Sequence, residues 1–306
     1  MKKTAYFALL AAVVLGIAPQ LIAQAAGQGR AVVTVLSKHG EMAPNLTQQD
    51  VTVKVNGKDA DVTGWEPFKG ADDALELVVL IDGGARNLGP QLEEIASFLQ
   101  SQGPHTKIAV GYMQNGRAVL ASPLSTDHKQ VAGELHLPAG PTSNPYFSLS
   151  DLATHWPSQD FKSRREVLLL SDGVDPEIRR LDPDDPYVQA AVNDSVRAGL
   201  VVYTLYWINR TDRDDSSINA NSGQSLLIEL SQATGGYSYW TGTGNPVSFD
   251  SFFEDLNRRL VSQYALEFTS RLDRKPEVEQ LTLKIDGLGL TVTAPQSVYV
   301  DHAGSK

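Results

Sequence analysis

Residues 75 to 81, Leu-Glu-Leu-Val-Val-Leu-Ile, form an almost unbroken apolar run that ends in Asp82-Gly83-Gly84. A strand with one wet face alternates apolar and polar residues. A run without alternation is a strand covered on both faces, and such strands belong to parallel sheets flanked by helices. The segments that follow keep to that plan. A helix with Pro90 in its first turn carries Leu92, Ile95, Ala96 and Leu99 on one face and stops at Gly103. Strands are expected at 107–113, 117–120, 166–171 and 200–206, with helices near 127–135 and 146–156. Asp185-Pro186 caps a helix bearing Val188, Ala191, Val192 and Val196, which ends at Gly199. A helix through Leu226, Leu227, Leu230 and Ala233 stops at Gly235-Gly236. A short strand at 237–240 follows, and a last helix carries Phe249, Phe252, Phe253, Leu256 and Leu260. The expectation is a doubly wound α/β sheet whose ligands sit at the carboxyl ends of its strands.

On both sides of this block the period falls to two. Val51, Val53 and Val55 alternate with polar residues before Asn56-Gly57, the preferred two-residue hairpin turn, and Val32, Val33, Val35, Val62 and Trp65 extend the pattern. Tyr264, Leu266 and Phe268, then Leu281, Leu283 and Ile285, then Leu290, Val292, Val298 and Val300 repeat it at the other end. Neither flank has enough strands to stand alone, so the two are expected to pair into one β-sandwich domain. The organisation read from sequence is therefore residues 31–70 with 262–300 as the sandwich and 72–261 as the α/β domain.

The first 25 residues read as a secretory signal peptide. Lys2-Lys3 precedes an apolar run from Ala5 to Ala18, then Pro19 and the small-residue pattern Ala23-Gln24-Ala25. The run is shorter than the roughly 20 residues a spanning helix needs. Cleavage near Ala25 is expected to give an exported protein, periplasmic or secreted, with no transmembrane segment in the mature chain. The chain has no cysteine, which excludes thiol catalysis, Cys-ligated zinc and iron–sulfur clusters. Its 26 Lys+Arg against 36 Asp+Glu give a formal charge of −10. A nucleic-acid partner needs clustered basic residues, so that class is excluded too.

The chemistry-bearing residues gather after the first and fourth strands of the α/β block. The first ends in Asp82-Gly83-Gly84-Ala85-Arg86, the fourth in Ser171-Asp172-Gly173-Val174-Asp175, and Gly140-Pro141-Thr142-Ser143 lies between them. This order resembles the von Willebrand factor A (VWA) domain, in which D-x-S-x-S, a Thr and a T-D-G or S-D-G motif form a metal-ion-dependent adhesion site for Mg²⁺. Over the whole mature chain the sequence resembles the bacterial secreted VWFA-related family of the acidobacterial type. Val33-Thr34-Val35, Leu46 to Val51, Asn56-Gly57-Lys58, Gly199 to Leu205, Ala233 to Gly236, Leu260 to Tyr264 and Leu290-Thr291-Val292 match its blocks in order. The resemblance implies a Rossmann-like domain with a protein-binding or scaffold role.

Two positions depart from the metal motif: Gly84 and Arg86 stand where it has serines. Asp82, Thr142 and Asp172 remain as the only candidate Mg²⁺ ligands. Alternatively the guanidinium of Arg86 occupies the cation position and neutralises Asp82 and Asp172. Asp175, with Asp182, Asp184 and Asp185, makes the same rim acidic, and solvated charge is its plainest explanation. There is no G-x-S-x-G, H-E-x-x-H or P-loop, and residues 83–89 do not fit G-x-G-x-x-G. The six histidines lack a ligand spacing; His155 and Asp151 form an i, i+4 helix pair.

The reading is a non-enzymatic, exported protein-binding protein with a degenerate adhesion site and no cofactor. Its rim is formed by Asp82, Gly84, Arg86, Thr142, Asp172 and Asp175. The alternative is a divalent-metal-dependent adhesion module, and a hydrolase is the third choice.

Overall fold

Three strands open the described chain, β1 (Ala26–Ser37), β2 (Val51–Val55) and β3 (Lys58–Pro67). The middle alternates: β4 (Leu75–Ile81), α1 (Gln91–Gln100), β5 (Lys107–Gln114), β6 (Arg117–Leu120), α2 (His128–Gly133), α3 (Pro145–Thr154), β7 (Arg164–Ser171), α4 (Pro186–Arg197), β8 (Leu200–Tyr206), α5 (Ser217–Thr234), β9 (Ser238–Tyr239) and α6 (Asp250–Leu260). Four strands close it, β10 (Gln263–Arg271), β11 (Glu277–Ile285), β12 (Leu290–Thr293) and β13 (Ser297–His302). The structure, a computed structural model, describes residues 26–38, 46–69, 74–140, 144–160, 162–175, 182–208, 217–242, 244–271, 276–287 and 289–302. The signal peptide expected at 1–25 lies outside them.

The middle block is a six-stranded sheet in the order β6-β5-β4-β7-β8-β9, parallel except for β6. Every position of β4, β7 and β8 is buried, as expected for strands sandwiched between helices. Leu77, Val79, Ile81, Leu168 and Leu170 pack against α1 and α6, while Val78, Leu80, Val167 and Leu169 pack against α3, α4 and α5. Local chemistry sets the helix ends. Asp185 accepts from the Tyr187 amide at 2.8 Å to start α4 with Pro186 in its first turn, and Gly199 ends it at φ +68°. No helix among the described residues is long and apolar enough to cross a membrane.

The period-two flanks share one antiparallel sheet, but it is not a sandwich. Its order is β10-β3-β2-β11-β13-β1, and β1 then pairs with β10 from Ala26 to Thr34, which closes a six-stranded barrel; β12 adds to the far end of β1. Closure follows from the length of β1. One edge serves β10, while the other serves β13 at Gly27–Gly29 and β12 at Thr34–Ser37. A sandwich keeps open edges, whereas a barrel has none. The seam packs tightly where a side chain is missing: a Cβ on Gly29 would lie 2.2 Å from Cζ of Phe268, beside the register shift at Glu267/Phe268 in the pairing of β10 with β3. Val33, Val35, Val53, Leu266, Phe268 and Val300 fill the interior, and Trp65 stacks on Tyr264 at 4.7 Å.

The chain passes between barrel and α/β sheet twice, after β3 and before β10, and both passages are tied to Arg164. This residue is 3% exposed. Its guanidinium donates to the Leu260 carbonyl at 2.9 Å and to Gln263 Oε1, lies 4.6 Å from the Phe68 ring centroid and pairs with buried Glu166 at 3.5 Å. The Phe68 amide in turn donates to the Gln263 carbonyl at 3.0 Å. The sequence places this strand at 166–171; it begins two residues earlier because Arg164 and Arg165 enter the sheet with their charges engaged. Nearby, between barrel and sheet, lies a cavity of about 120 Å³ lined by Arg30, Ser163, Arg165, Val201 and Val298 among others.

Removing one member of a buried ion pair leaves the other charge uncompensated, a loss of about 3–5 kcal/mol. Arg164→Met is expected to lower unfolding stability by that amount in urea titration and to speed amide exchange in β10 ahead of β4. The double variant Arg164→Met with Glu166→Gln is expected to recover a large part of the loss, since no buried charge is then stranded.

Candidate functional site

The parallel sheet turns its carboxyl ends toward one rim, and β4 and β7, adjacent there, are the strands between which the chain reverses its winding direction. This is where ligands bind in doubly wound sheets. The Asp82 amide still donates to the Leu170 carbonyl at 2.9 Å; then Ala85 N bonds Asp82 O at 3.1 Å and the chain turns away.

The Asp82 carboxylate is fully buried. Its Oδ1 accepts from the Gly84 amide at 2.8 Å and its Oδ2 from the Ser171 hydroxyl at 2.9 Å. Ser171 Oγ also accepts from the Gly173 amide at 3.1 Å. One hydroxyl thus joins the loop after β4 to the loop after β7. Asp172, 8% exposed, accepts the Val174 amide at 2.9 Å. Gly173 holds φ +72°, the left-handed region that favours glycine, and its carbonyl accepts the Tyr146 hydroxyl at 2.9 Å. Asp175, 2% exposed, accepts from Asn144 Nδ2 at 2.9 Å, which fastens the start of α3 to the same rim.

The rim carries a negative field. Burial pushes the Tyr146 phenol well above its ordinary range, and the charges of Asp175, Asp172 and Glu229 push it further. The Tyr206 phenol is raised by burial and then by Asp172. Glu229 on α5 is raised by burial, with Asp184 and Asp182 adding to the effect.

Arg86 does not neutralise these carboxylates. Its side chain is exposed, and its Nε and Nη2 donate to the Gly140 carbonyl at 3.2 and 2.7 Å. The pairing with Asp82 and Asp172 expected from sequence is therefore corrected. Asp82 already accepts two donors, and drawing a guanidinium into that pocket incurs a desolvation penalty of several kcal/mol, whereas the surface bonds to Gly140 do not. Arg86 instead ties the first loop to the second. Thr142 lies outside the described residues.

Among the described residues the oxygen donors for Mg²⁺ are few. That ion demands near-octahedral oxygen ligation, yet the first loop supplies no hydroxyl, both oxygens of Asp82 accept protein donors, and among the described residues no three His, Asp or Glu side chains gather as a metal group. Of the rim residues named from sequence, the structure brings Asp82, Gly84, Asp172 and Asp175 together and sets Arg86 aside. Sequence reasoning missed Ser171 as a working residue, although it was legible as the first letter of S-D-G. It also missed Asn144, Tyr146 and Tyr206, whose approach is a tertiary event with no local signal.

No family model and no curated protein matches the chain. Among solved structures it is similar to an aerotolerance-related membrane protein from Bacteroides fragilis, with TM-score 0.44 and 13% identity over 61% of this chain and 98% of that one. It is also similar to the pilus adhesin SpaC from Lactobacillus rhamnosus GG, with TM-score 0.47 and 10% identity over 83% of this chain and 48% of that one, so it spans about half the adhesin. A third is the manganese-loaded TRAP protein of Plasmodium vivax, with TM-score 0.42 and 11% identity over 74% and 94%. None of these likenesses identifies the family of the chain.

Ser171→Ala removes a hydroxyl donor from the buried Asp82 carboxylate and is expected to lower stability by about 1–3 kcal/mol, whereas Arg86→Ala, exposed and bonded to a carbonyl, is expected to cost about 1 kcal/mol or less. Urea midpoints of the two variants check the order. Glu229→Gln is expected to raise the melting temperature at neutral pH. The folded-state pKa of Glu229 is raised, so the wild type carries a penalty while the group is ionised and sheds it as pH falls through that pKa. The advantage of the variant is therefore expected to vanish in melts taken below the ordinary carboxylate range, and to shrink in high salt.

Proposed function

We propose that this chain is an exported, non-enzymatic protein-binding protein that uses a VWA-like domain whose adhesion site works without a metal. The observation that carries the reading is the state of Asp82. The carboxylate that opens the family motif accepts its hydrogen bonds from Gly84 and Ser171 of the chain itself. The loops it joins form a built rim at the switch point of the sheet, the place where such folds receive their partners.

The binding role rests on the resemblance in motif order and on the doubly wound topology. A partly acidic rim with Arg86 at its edge suits a protein surface, and among its described residues no nucleophile is hydrogen-bonded to a histidine base. Ser171 donates to Asp82 rather than to a histidine, and the ring nitrogens of His128, His136 and His155 find their partners at Thr106, at Glu134 and at Thr154 and Asp151.

A ligand that binds only the folded state raises the melting temperature with its concentration. Titration of the purified mature protein with millimolar Mg²⁺ or Mn²⁺ is therefore expected to leave the melting temperature unchanged. A rise of several degrees overturns the metal-free reading in favour of the metal-dependent adhesion module. Affinity capture from the native envelope is expected to recover one protein that is lost with the rim variant Arg86→Glu and kept when the chelator EDTA is present. Turnover of a substrate from a hydrolase panel, abolished by Ser171→Ala, overturns the non-enzymatic reading.

A further inference from the structure

Helix α5 and the two glycines that follow it approach both ends of the α/β sheet at positions with no room for a Cβ. Near the rim, Gly223 lies so close to the loop after β7 that a Cβ there would be 2.2 Å from the Asp172 carbonyl oxygen. A Cβ on Gly173 would conversely lie 2.5 Å from the Gly223 carbonyl. At the other end a Cβ on Gly235 would sit 2.9 Å from Pro295 of the barrel, and one on Gly236 would sit 2.0 Å from the Val202 carbonyl. The Gln232 carbonyl accepts the Gln296 amide at 3.0 Å. Between these stops Leu226, Leu227 and Leu230 are buried, and the Thr234 hydroxyl accepts the Val202 amide at 3.1 Å.

Flexible side chains absorb small displacements by changing rotamer, but backbone in contact with backbone or with a proline ring has little such slack. A hydrogen-bonded helix is also stiff along its axis. From Gly223 to Gly235 is twelve residues, or about 18 Å at the helical rise.

We propose that α5 is a strut that fixes the spacing between the rim loop at Asp172–Gly173 and the barrel loop at 294–296, so that displacing either loop displaces the other. Gly223 and Gly235 are its positioning residues. The proposal does not rest on the protein-binding reading, because it concerns the free protein. It gives the barrel a role that the sheet alone leaves unassigned: the barrel holds the foot of the helix that carries part of the rim.

Amide exchange in the full mature chain tests it. The reporters are Gln296 and Leu281 at the barrel end, whose amides bond Gln232 O and Gln296 O, and Gly173 and Val174 at the rim. The Val79 amide in the core of β4 reports global opening. Gly223→Ala introduces the Cβ that the Asp172 carbonyl excludes, and is expected to speed exchange at Gln296 and Leu281 about tenfold or more relative to Val79, as for a local opening that precedes global unfolding. Pro295→Gly removes the lower stop and is expected to do the same at Gly173 and Val174. Far-end amides that keep pace with Val79 overturn the strut, whatever the near end does. Should Gly223→Ala fail to fold, Pro295→Gly decides alone.

Discussion

The buried guanidinium of Arg164 is the point on which the two bodies of this protein depend. A discontinuous domain creates a specific difficulty: the chain leaves the barrel once and returns once, and the two passages must stay together although they are nearly two hundred residues apart in sequence. Apolar packing brings them near each other but does not fix their register, because it has no direction. A guanidinium has five donors in a rigid plane, and here it reaches the last turn of α6, the first residue of β10 and the ring of Phe68 from the first residue of β7. Gln263 extends the arrangement by donating to the Tyr203 hydroxyl at 3.0 Å. Glu166, fully buried beside the guanidinium, supplies the opposite charge that makes its burial tolerable.

With the passages fixed, the barrel can close. β10 starts at Gln263, and its pairing with β1 runs from Thr34 opposite Gln263 to Ala26 opposite Arg271. The residue that anchors the junction therefore also sets the register of the seam that turns a sheet into a ring. A slip of one residue would send Leu266 and Phe268, both fully or almost fully buried, to the outer face.

Much of this was legible in the sequence, and the illegible parts share a cause. Unalternating β4 and the caps at Asp185 and Gly199 are local signals, and the structure follows them. Val51, Val53 and Val55 face inward as their alternation requires. Alternation reports only that one face of a sheet is wet, however, and that holds for a sandwich and a barrel alike; which edges meet depends on the length of β1 and on the close packing of Phe268 over Gly29, neither of which has a periodicity. At the start of β7, polar letters hid two buried residues. At the rim, motif comparison found Asp82 and Asp172, yet it could not tell that a surface carbonyl, Gly140, competes better for Arg86 than two carboxylates do. That outcome is set by desolvation, which depends on how many donors the carboxylates already have.

The same competition explains the rim as a whole. A carboxylate at the end of a buried strand must have donors, and a metal ion with its waters is one source of compensation. Here the chain is another: a glycine amide and a serine hydroxyl occupy both oxygens of Asp82. These donors supply part of the compensation that a buried charge requires. Gly84 closes a chain turn in which its amide points back at the carboxylate two residues before it. The rim is thereby ordered from within the chain, its loops joined by Ser171, Asn144 and Arg86.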